Sequence, residues 1–360
     1  MHRFRIGVLT SGGDCPGLNA VIRAAVASAH TLGWEVLGFI DGYEGLLSPV
    51  NYKILTLENT QGIMPIGGTI IGTTNRGRFV AKQGLGEKAM ISQPIIDEAK
   101  KTLNDLGVRA LICIGGDGSL TTADQLFENG VSVVGVPKTI DNDLSATATT
   151  FGFDSAVQCV ADALDRLHTT AASHKRVMVL EVMGRHAGWI ALYGGLAGGA
   201  DVILIPEIPF SYERLAAHVE KRMSGGAAST LIVAAEGAMP TGGSVAMVDG
   251  GTKGEVRLGG IGAQVAAEIA ERTKRETRTT VLGHLQRGGA PTTQDRNLGT
   301  RFGVGAVDLI KEKKFGCMVS YLNYQIGSVS IKEAVGQIKL VPPDGQVVNT
   351  AKSVGIHFGI

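Results

Sequence analysis

The chain has 360 residues, with 34 Lys plus Arg against 33 Asp plus Glu and a formal net charge of +1. That balance gives no support for a nucleic-acid or membrane-surface partner, and the length suits two domains or one large α/β unit. Four cysteines without CxxC spacing, no signal-like start and no membrane-length apolar run point to a reducing, cytoplasmic setting.

Phe4 to Leu9 reads as a buried strand, followed by Thr10-Ser11-Gly12-Gly13-Asp14-Cys15-Pro16-Gly17. Leu18 to Leu32 has helical spacing, with Leu18, Ile22, Ala25 and Ala29 on one stripe. A strand, a glycine turn and a helix make a phosphate cradle, because free backbone N–H groups and the helix dipole point into the turn. The loop matches neither GxGxxG nor GxxxxGK[ST], and a purely structural turn would explain it as well. Glu35 to Ile40 is the next strand. Gly67 to Arg78 is a loop of small residues and hydroxyls in which no acidic residue offsets Arg76 and Arg78.

Ser92 to Leu106 is a predicted helix and Ala110 to Ile114 an all-apolar strand. It runs into Gly115-Gly116-Asp117-Gly118-Ser119, with a helix expected from near Leu120. Open α/β sheets bind ligands at the carboxyl ends of their strands. A carboxylate there repels a polyphosphate unless a divalent metal bridges them, so Asp117 is the Mg²⁺ candidate.

Val131 to Val136 is a further apolar strand, closed by Pro137 and followed by Lys138-Thr139-Ile140-Asp141-Asn142-Asp143. In an extended segment Asp141 and Asp143 leave on the same side. Two adjacent carboxylates need a proton, a metal or a cation, since like charges raise each other's pKa. A turn capping the next helix is the plainer alternative. Phe153 to Thr170 is a predicted helix. Strands are expected at 177–182, 201–205, 230–235 and 278–282, and a helix from Leu258-Gly259-Gly260-Ile261-Gly262 to Glu271. Thr241 to Lys253 is the most loop-like stretch, and the tail from Lys314 reads as short strands. Strands alternating with helices argue for a parallel, two-faced sheet, built twice.

The loops after these strands share one chemical vocabulary. Arg176, Arg185, Arg278 and Arg287 can grip phosphate bidentately. Glu236 and His284 can hold sugar hydroxyls, although a helix-capping carboxylate and a core histidine are alternatives. Gly12, Gly13, Gly116 and Gly118 let backbone approach phosphates. With Asp117 for a metal and Asp141 for a proton, these are the parts for phosphoryl transfer from a polyphosphate to a hydroxyl of a phosphorylated substrate. Arginines keep Asp141 ionised and weakly basic, which suffices because the hydroxyl turns acidic only as its bond to phosphorus forms.

Thr10-Ser11-Gly12-Gly13-Asp14, Gly115-Gly116-Asp117-Gly118-Ser119, Thr139-Ile140-Asp141-Asn142-Asp143, Met183-Gly184-Arg185 and Gly283-His284-Leu285-Gln286-Arg287-Gly288-Gly289 occur in this order. In this the chain resembles the 6-phosphofructokinase family nearly end to end. The expected fold is α/β, two doubly wound Rossmann-like lobes with parallel central sheets and a chain that crosses between them more than once. Residues 1–150 plus about 259–310 would form the phosphoryl-donor lobe, and 151–258 plus about 311–360 the sugar-phosphate lobe.

The resemblance implies phosphorylation of fructose 6-phosphate at O1 to fructose 1,6-bisphosphate, a step of glycolysis, with Asp141 as base. It implies Thr139, Arg185 and Asp143 around the transferring group and Asp117 at Mg²⁺. Gly12, Gly13, Asn75, Arg76, Gly116, Gly118, Ser119 and Lys138 would surround the donor. Ile140, Met183, Gly184, Glu236, His284, Leu285, Gln286 and Arg287 would join Thr139, Asp141 and Arg185 at the sugar phosphate. Arg176 and Arg278 match residues that reach the neighbouring subunit's sugar phosphate in bacterial relatives, so a homodimer or homotetramer with shared sites is expected.

Two positions bear on the donor. Gly118 matches ATP users, where pyrophosphate users usually carry an Asp that would crowd and repel the α-phosphate. Lys138 matches pyrophosphate users, where most bacterial ATP users carry Gly. A lysine tolerates a nucleotide phosphate and a carboxylate blocks one, so ATP is the expected donor and a reversible pyrophosphate enzyme the alternative. Asn75-Arg76 departs from the family's Ser-Ser-Arg or Ser-Ala-Arg and shifts the cation by one residue. NAD kinase-like or lipid kinase-like enzymes share the GGDG loop but lack the 139–143 and 284–287 segments. A non-catalytic sugar-phosphate sensor on the same fold would lack Asp117 or Asp141.

Overall fold

The structure, a computed structural model, describes residues 4–74, 77–79, 89–249 and 256–360. In chain order it begins with β1 (Arg5–Thr10), α1 (Leu18–Thr31), β2 (Glu35–Phe39), β3 (Tyr52–Leu55), α2 (Gln93–Asp105), β4 (Val108–Gly115), α3 (Asp117–Glu128) and β5 (Val133–Pro137). It continues through α4 (Phe153–His174), β6 (Val177–Val182), α5 (Trp189–Ala197), β7 (Val202–Leu204), α6 (Tyr212–Ser224) and β8 (Thr230–Ala235). There follow β9 (Met247–Asp249), β10 (Val256–Leu258), α7 (Ile261–Thr273), β11 (Thr277–Val281), α8 (Thr293–Lys311), β12 (Cys317–Leu322), β13 (Gln325–Ser330), α9 (Ile331–Ala334) and α10 (Gln346–Ser353).

The chain forms two compact units. The first comprises Met1–Ile140, Leu144–Ser155 and Arg287–Ile338; the second comprises Asp141–Asp143, Ala156–Gln286 and Lys339–Ile360. These bounds differ from the expected ones. Residues 259–286 go to the second unit because α7 packs on β6 and β11, and β11 pairs with β6. Residues 311–338 go to the first, where β12 pairs with β5.

In the first unit the sheet order is β13-β12-β5-β4-β1-β2-β3, parallel from β12 to β2, with the two edge strands antiparallel. Ile6, Val8, Leu111, Ile112, Val133 and Val134 are fully buried, as continuous apolar runs are when helices cover both faces of a sheet. Ile96, Leu103, Leu120, Leu126 and Ile331 bring α2, α3 and α9 into one core cluster. α1 packs along α8. From β1 the chain winds one way to β2 and β3, then returns to lay β4, β5 and β12 on the other side. The carboxyl ends of β1 and β4 thus flank a topological switch point, where such sheets open a ligand crevice.

The second unit has an all-parallel sheet in the order β11-β6-β8-β7. Val177, Val179, Val202, Leu204, Ile232 and Ala234 pack with Leu215 and Val219 of α6 and Ile261, Val265 and Ile269 of α7. Here the connection from β6 runs one way to β7 and that from β8 runs the other way to β11, so the switch lies between β6 and β8. Three expectations need correction. The helix placed near Leu120 starts at Asp117, whose carboxylate suits the positive end of the helix. Met247–Asp249 is a strand paired with β10, so the 241–253 stretch is not loop throughout. The tail holds α9 and α10 besides its hairpin of β12 and β13.

Candidate active site

In the first unit three loops leave adjacent parallel strands at their carboxyl ends. Ser11 donates its N–H to the Ile114 carbonyl at 3.0 Å and Lys138 to that of Gly115 at 2.9 Å, so the sheet register carries into the loops. Gly12 turns the first loop with φ 83°, a conformation that favours glycine, and its carbonyl accepts from the Thr73 hydroxyl at 2.7 Å. A Cβ on Gly12 would stand 3.2 Å from Ser119 Oγ and 3.4 Å from Lys138 Nζ, which places the three expected donor residues together. Lys138 is buried, and its ammonium donates to the Gly13 carbonyl. The Ser119 carbonyl accepts from the Tyr43 hydroxyl at 2.7 Å. Arg287 lies over the same loop, donating from Nη1 to the Asp14 carbonyl at 3.2 Å. Cys15 beneath it is fully buried, and burial pushes its thiol up to about 12, an inert state.

Asp117 is half-buried in the first turn of α3, directly after the Gly116 cap. Among the described residues no group of three or more His, Cys, Asp or Glu side chains gathers that could hold a metal ion. A single carboxylate beside backbone N–H groups suits Mg²⁺ taking its other ligands from phosphates and water. Thr139 follows Lys138, and its carbonyl accepts from the Thr150 hydroxyl at 2.7 Å. Ile140 is buried.

The second unit holds the two carboxylates. Asp141 and Asp143 are half-buried and flank Asn142, which is buried and left-handed at φ 51°. Asn142 Oδ1 accepts from Lys339 Nζ at 2.8 Å, and the Asp143 carbonyl accepts from the Lys339 N–H at 2.8 Å. Burial pulls the Lys339 ammonium down to about 8, while the Asp143 charge acts the other way.

In the same unit the loops after β6, β8 and β11 are bound together. The Met183 N–H donates to Gln286 Oε1 at 2.7 Å, and Gln286 is 1% exposed. The Glu236 N–H donates to the Val182 carbonyl at 2.8 Å, and the Gly237 N–H to the Gly184 carbonyl at 3.1 Å. A Cβ on Gly237 would overlap the Arg185 carbonyl oxygen, so the two loops touch only because residue 237 is glycine. Arg185, His284 and Leu285 are exposed and Glu236 half-buried at this end of the sheet. Arg176 and Arg278 are elsewhere. They lie at the amino-terminal ends of β6 and β11, both paired to Glu276 Oε1, at 2.8 and 2.5 Å.

Asn75 and Arg76 lie outside the described residues. Arg78 is not without an acidic neighbour: its Nε meets Glu44 Oε2 at 3.1 Å. Sequence reasoning missed Lys339 and the buried Asp295. Each acts on a segment more than a hundred residues away, and no local pattern marks either.

The phosphofructokinase family profile matches residues 5–310. The ATP-dependent 6-phosphofructokinase of Chloroflexus aurantiacus is 54% identical over 355 residues, 99% of this chain and 98% of that protein. The pyrophosphate–fructose 6-phosphate 1-phosphotransferase of Amycolatopsis methanolica is 50% identical over 346 residues, 95% of this chain and 97% of that protein. Phosphofructokinase from Saccharomyces cerevisiae is a structural neighbour with TM-score 0.80 and 32% identity, over 93% of this chain and 45% of that one. In sequence and in topology alike, the chain belongs to the phosphofructokinase family.

Proposed function

We propose that the protein is a Mg²⁺-dependent 6-phosphofructokinase that transfers the terminal phosphoryl group of ATP to O1 of fructose 6-phosphate. The observation that carries this is the pair of loop clusters at the two switch points, one built for phosphates and one for a phosphorylated polyol. Asp141 takes the O1 proton as the bond to phosphorus forms, and Asp143 keeps the base loop acidic. Arg185 and Thr139 stabilise charge on the transferring group. Gly12, Gly13, Gly116, Gly118 and Ser119 receive the donor phosphates on backbone N–H and hydroxyl donors, with Asn75 and Arg76 on the nucleotide side. Asp117 would hold Mg²⁺, which when bound neutralises donor phosphate charge. Met183, Gly184, Glu236, His284, Leu285, Gln286 and Arg287 hold the sugar phosphate.

ATP is favoured over pyrophosphate by Gly118 and by the names of the relatives at 54% identity. Lys138 and the Amycolatopsis relatives favour the second reading, a pyrophosphate enzyme. The Lys138 ammonium, bonded to Gly13, braces the donor loop and serves either donor. The position of Arg176 and Arg278 supports a homo-oligomer in which each subunit lends them to a neighbour. Glycolysis in the cytoplasm is the proposed setting; no described helix is long and apolar enough to cross a membrane.

Asp141→Asn keeps the shape of the base without its basicity. The expected result is a kcat lower by at least about 10²-fold with KM little changed. A variant with near-normal kcat would remove Asp141 from this role.

A further inference from the structure

The segment Lys339–Val341 of the second unit is bonded to the base loop through Lys339 and to Glu207 through Val341. At one end are the two bonds from Lys339 to the base loop, Nζ to Asn142 Oδ1 and N–H to the Asp143 carbonyl, both 2.8 Å. The Lys339 carbonyl accepts from Trp189 Nε1 at 2.8 Å, and Nζ stands 5.9 Å from the centre of that ring. At the other end the Val341 N–H donates to Glu207 Oε1 at 2.9 Å, and the same carboxylate takes the Gly188 N–H at 3.0 Å. Gly188 and Trp189 directly follow Arg185-His186-Ala187. One short segment therefore holds the base loop and the arginine loop to a common frame.

We propose that Lys339 is a positioning residue for phosphoryl transfer, clamping Asn142 and so fixing Asp141 relative to the Arg185 loop. Asn tolerates the left-handed region better than most residues but is not confined to it, and the bond to Lys339 holds the Asn142 side chain while its backbone is there. The ammonium supplies a charge-assisted hydrogen bond to that amide, stronger than a neutral one. Without the clamp Asn142 can return to the favoured side of φ, and the neighbouring carboxylates swing with it. A displacement on the order of 1 Å at a reacting group is costly in rate.

The inference rests on the role proposed for Asp141, and the test separates the two. Lys339→Met keeps the apolar stem beside Trp189 and removes the charge. Asn142→Gly keeps the left-handed backbone and removes the acceptor. Both are compared with the unmodified enzyme for kcat and KM, and for amide hydrogen exchange of residues 141–144 without substrates. Expected are a kcat lower by about tenfold or more with KM within about threefold, and exchange faster by about tenfold. The double variant should be no slower than Asn142→Gly alone, because Lys339 acts through that residue. Unchanged exchange, or faster exchange with unchanged kcat, overturns the proposal. Should Lys339→Met not fold, Lys339→Gln carries the same readouts. If Asp141→Asn keeps its kcat, the base assignment fails, while the exchange result still decides whether Lys339 clamps the loop.

Discussion

Asp295 lies on α8 at 1% exposure, and its carboxylate accepts from both the amide and the hydroxyl of Ser155, at 2.8 and 2.6 Å. Ser155 also receives the Thr292 N–H on its hydroxyl at 3.0 Å, so the root of α4 is fixed to the start of α8 inside the first unit. Burial raises the Asp295 carboxyl to about 6, with the two Ser155 bonds acting against that shift. In an unfolded chain the group titrates near about 3.9. The folded state therefore holds the proton more tightly, and the stability tied to this group is full below about pH 4 and lost as pH rises through about 6. At neutral pH the deficit is on the order of 2–3 kcal/mol. Asp295→Asn keeps an acceptor for Ser155 and cannot ionise. Its Tm relative to the unmodified protein should rise by several degrees between pH 4.5 and pH 7.5. A difference that stays flat across this range would mean that Asp295 does not titrate there.

At the scale of elements, β6 and β11 separate functions by their two ends. From Arg176 to Met183 is seven steps of about 3.3 Å, or roughly 23 Å, beyond the reach of any arginine side chain. Arg176 therefore cannot grip the same phosphate as the Met183–Arg185 loop of its own chain, and Arg278, paired with Met178, lies toward the same end of the sheet. Glu276 sits between them; the Arg176 hydrogen bond leads the causes that hold its carboxyl below the usual range. Mixing inactive Arg278→Ala chains with inactive Asp141→Asn chains should then restore part of the activity, because some sites would draw each intact residue from a different subunit. Mixed oligomers that stay fully inactive would count against sharing. β6 and β8 have the bounds their apolar runs suggested, since burial on both faces leaves an unbroken hydrophobic signature. The tail gave a weaker signal: β13 is mostly exposed, and α10 presents few buried residues, so alternation there did not distinguish strand from short helix.

For the whole molecule, the alternation of strands, glycine loops and helices was enough to read two parallel α/β units, because each loop is encoded next to the strand that precedes it. What joins distant segments was not legible. Lys339 meets Asn142 across 197 positions and Asp295 meets Ser155 across 140, and no spacing rule reaches so far. The same holds for the unit bounds, which depend on which strand β12 and β11 choose as neighbour. The choice of donor proposed above, by contrast, rests on one local residue. Gly118 stands in the first turn of α3 beside Asp117. An Asp there would put a second carboxylate near the α-phosphate, a like-charge contact costing on the order of a few kcal/mol in a partly desolvated site. The most direct measurement is kcat/KM on fructose 6-phosphate with Mg·ATP and with Mg·pyrophosphate, for the unmodified enzyme and for Gly118→Asp. The account predicts a strong preference for ATP that narrows or reverses in the variant; an unmodified enzyme that prefers pyrophosphate would contradict it.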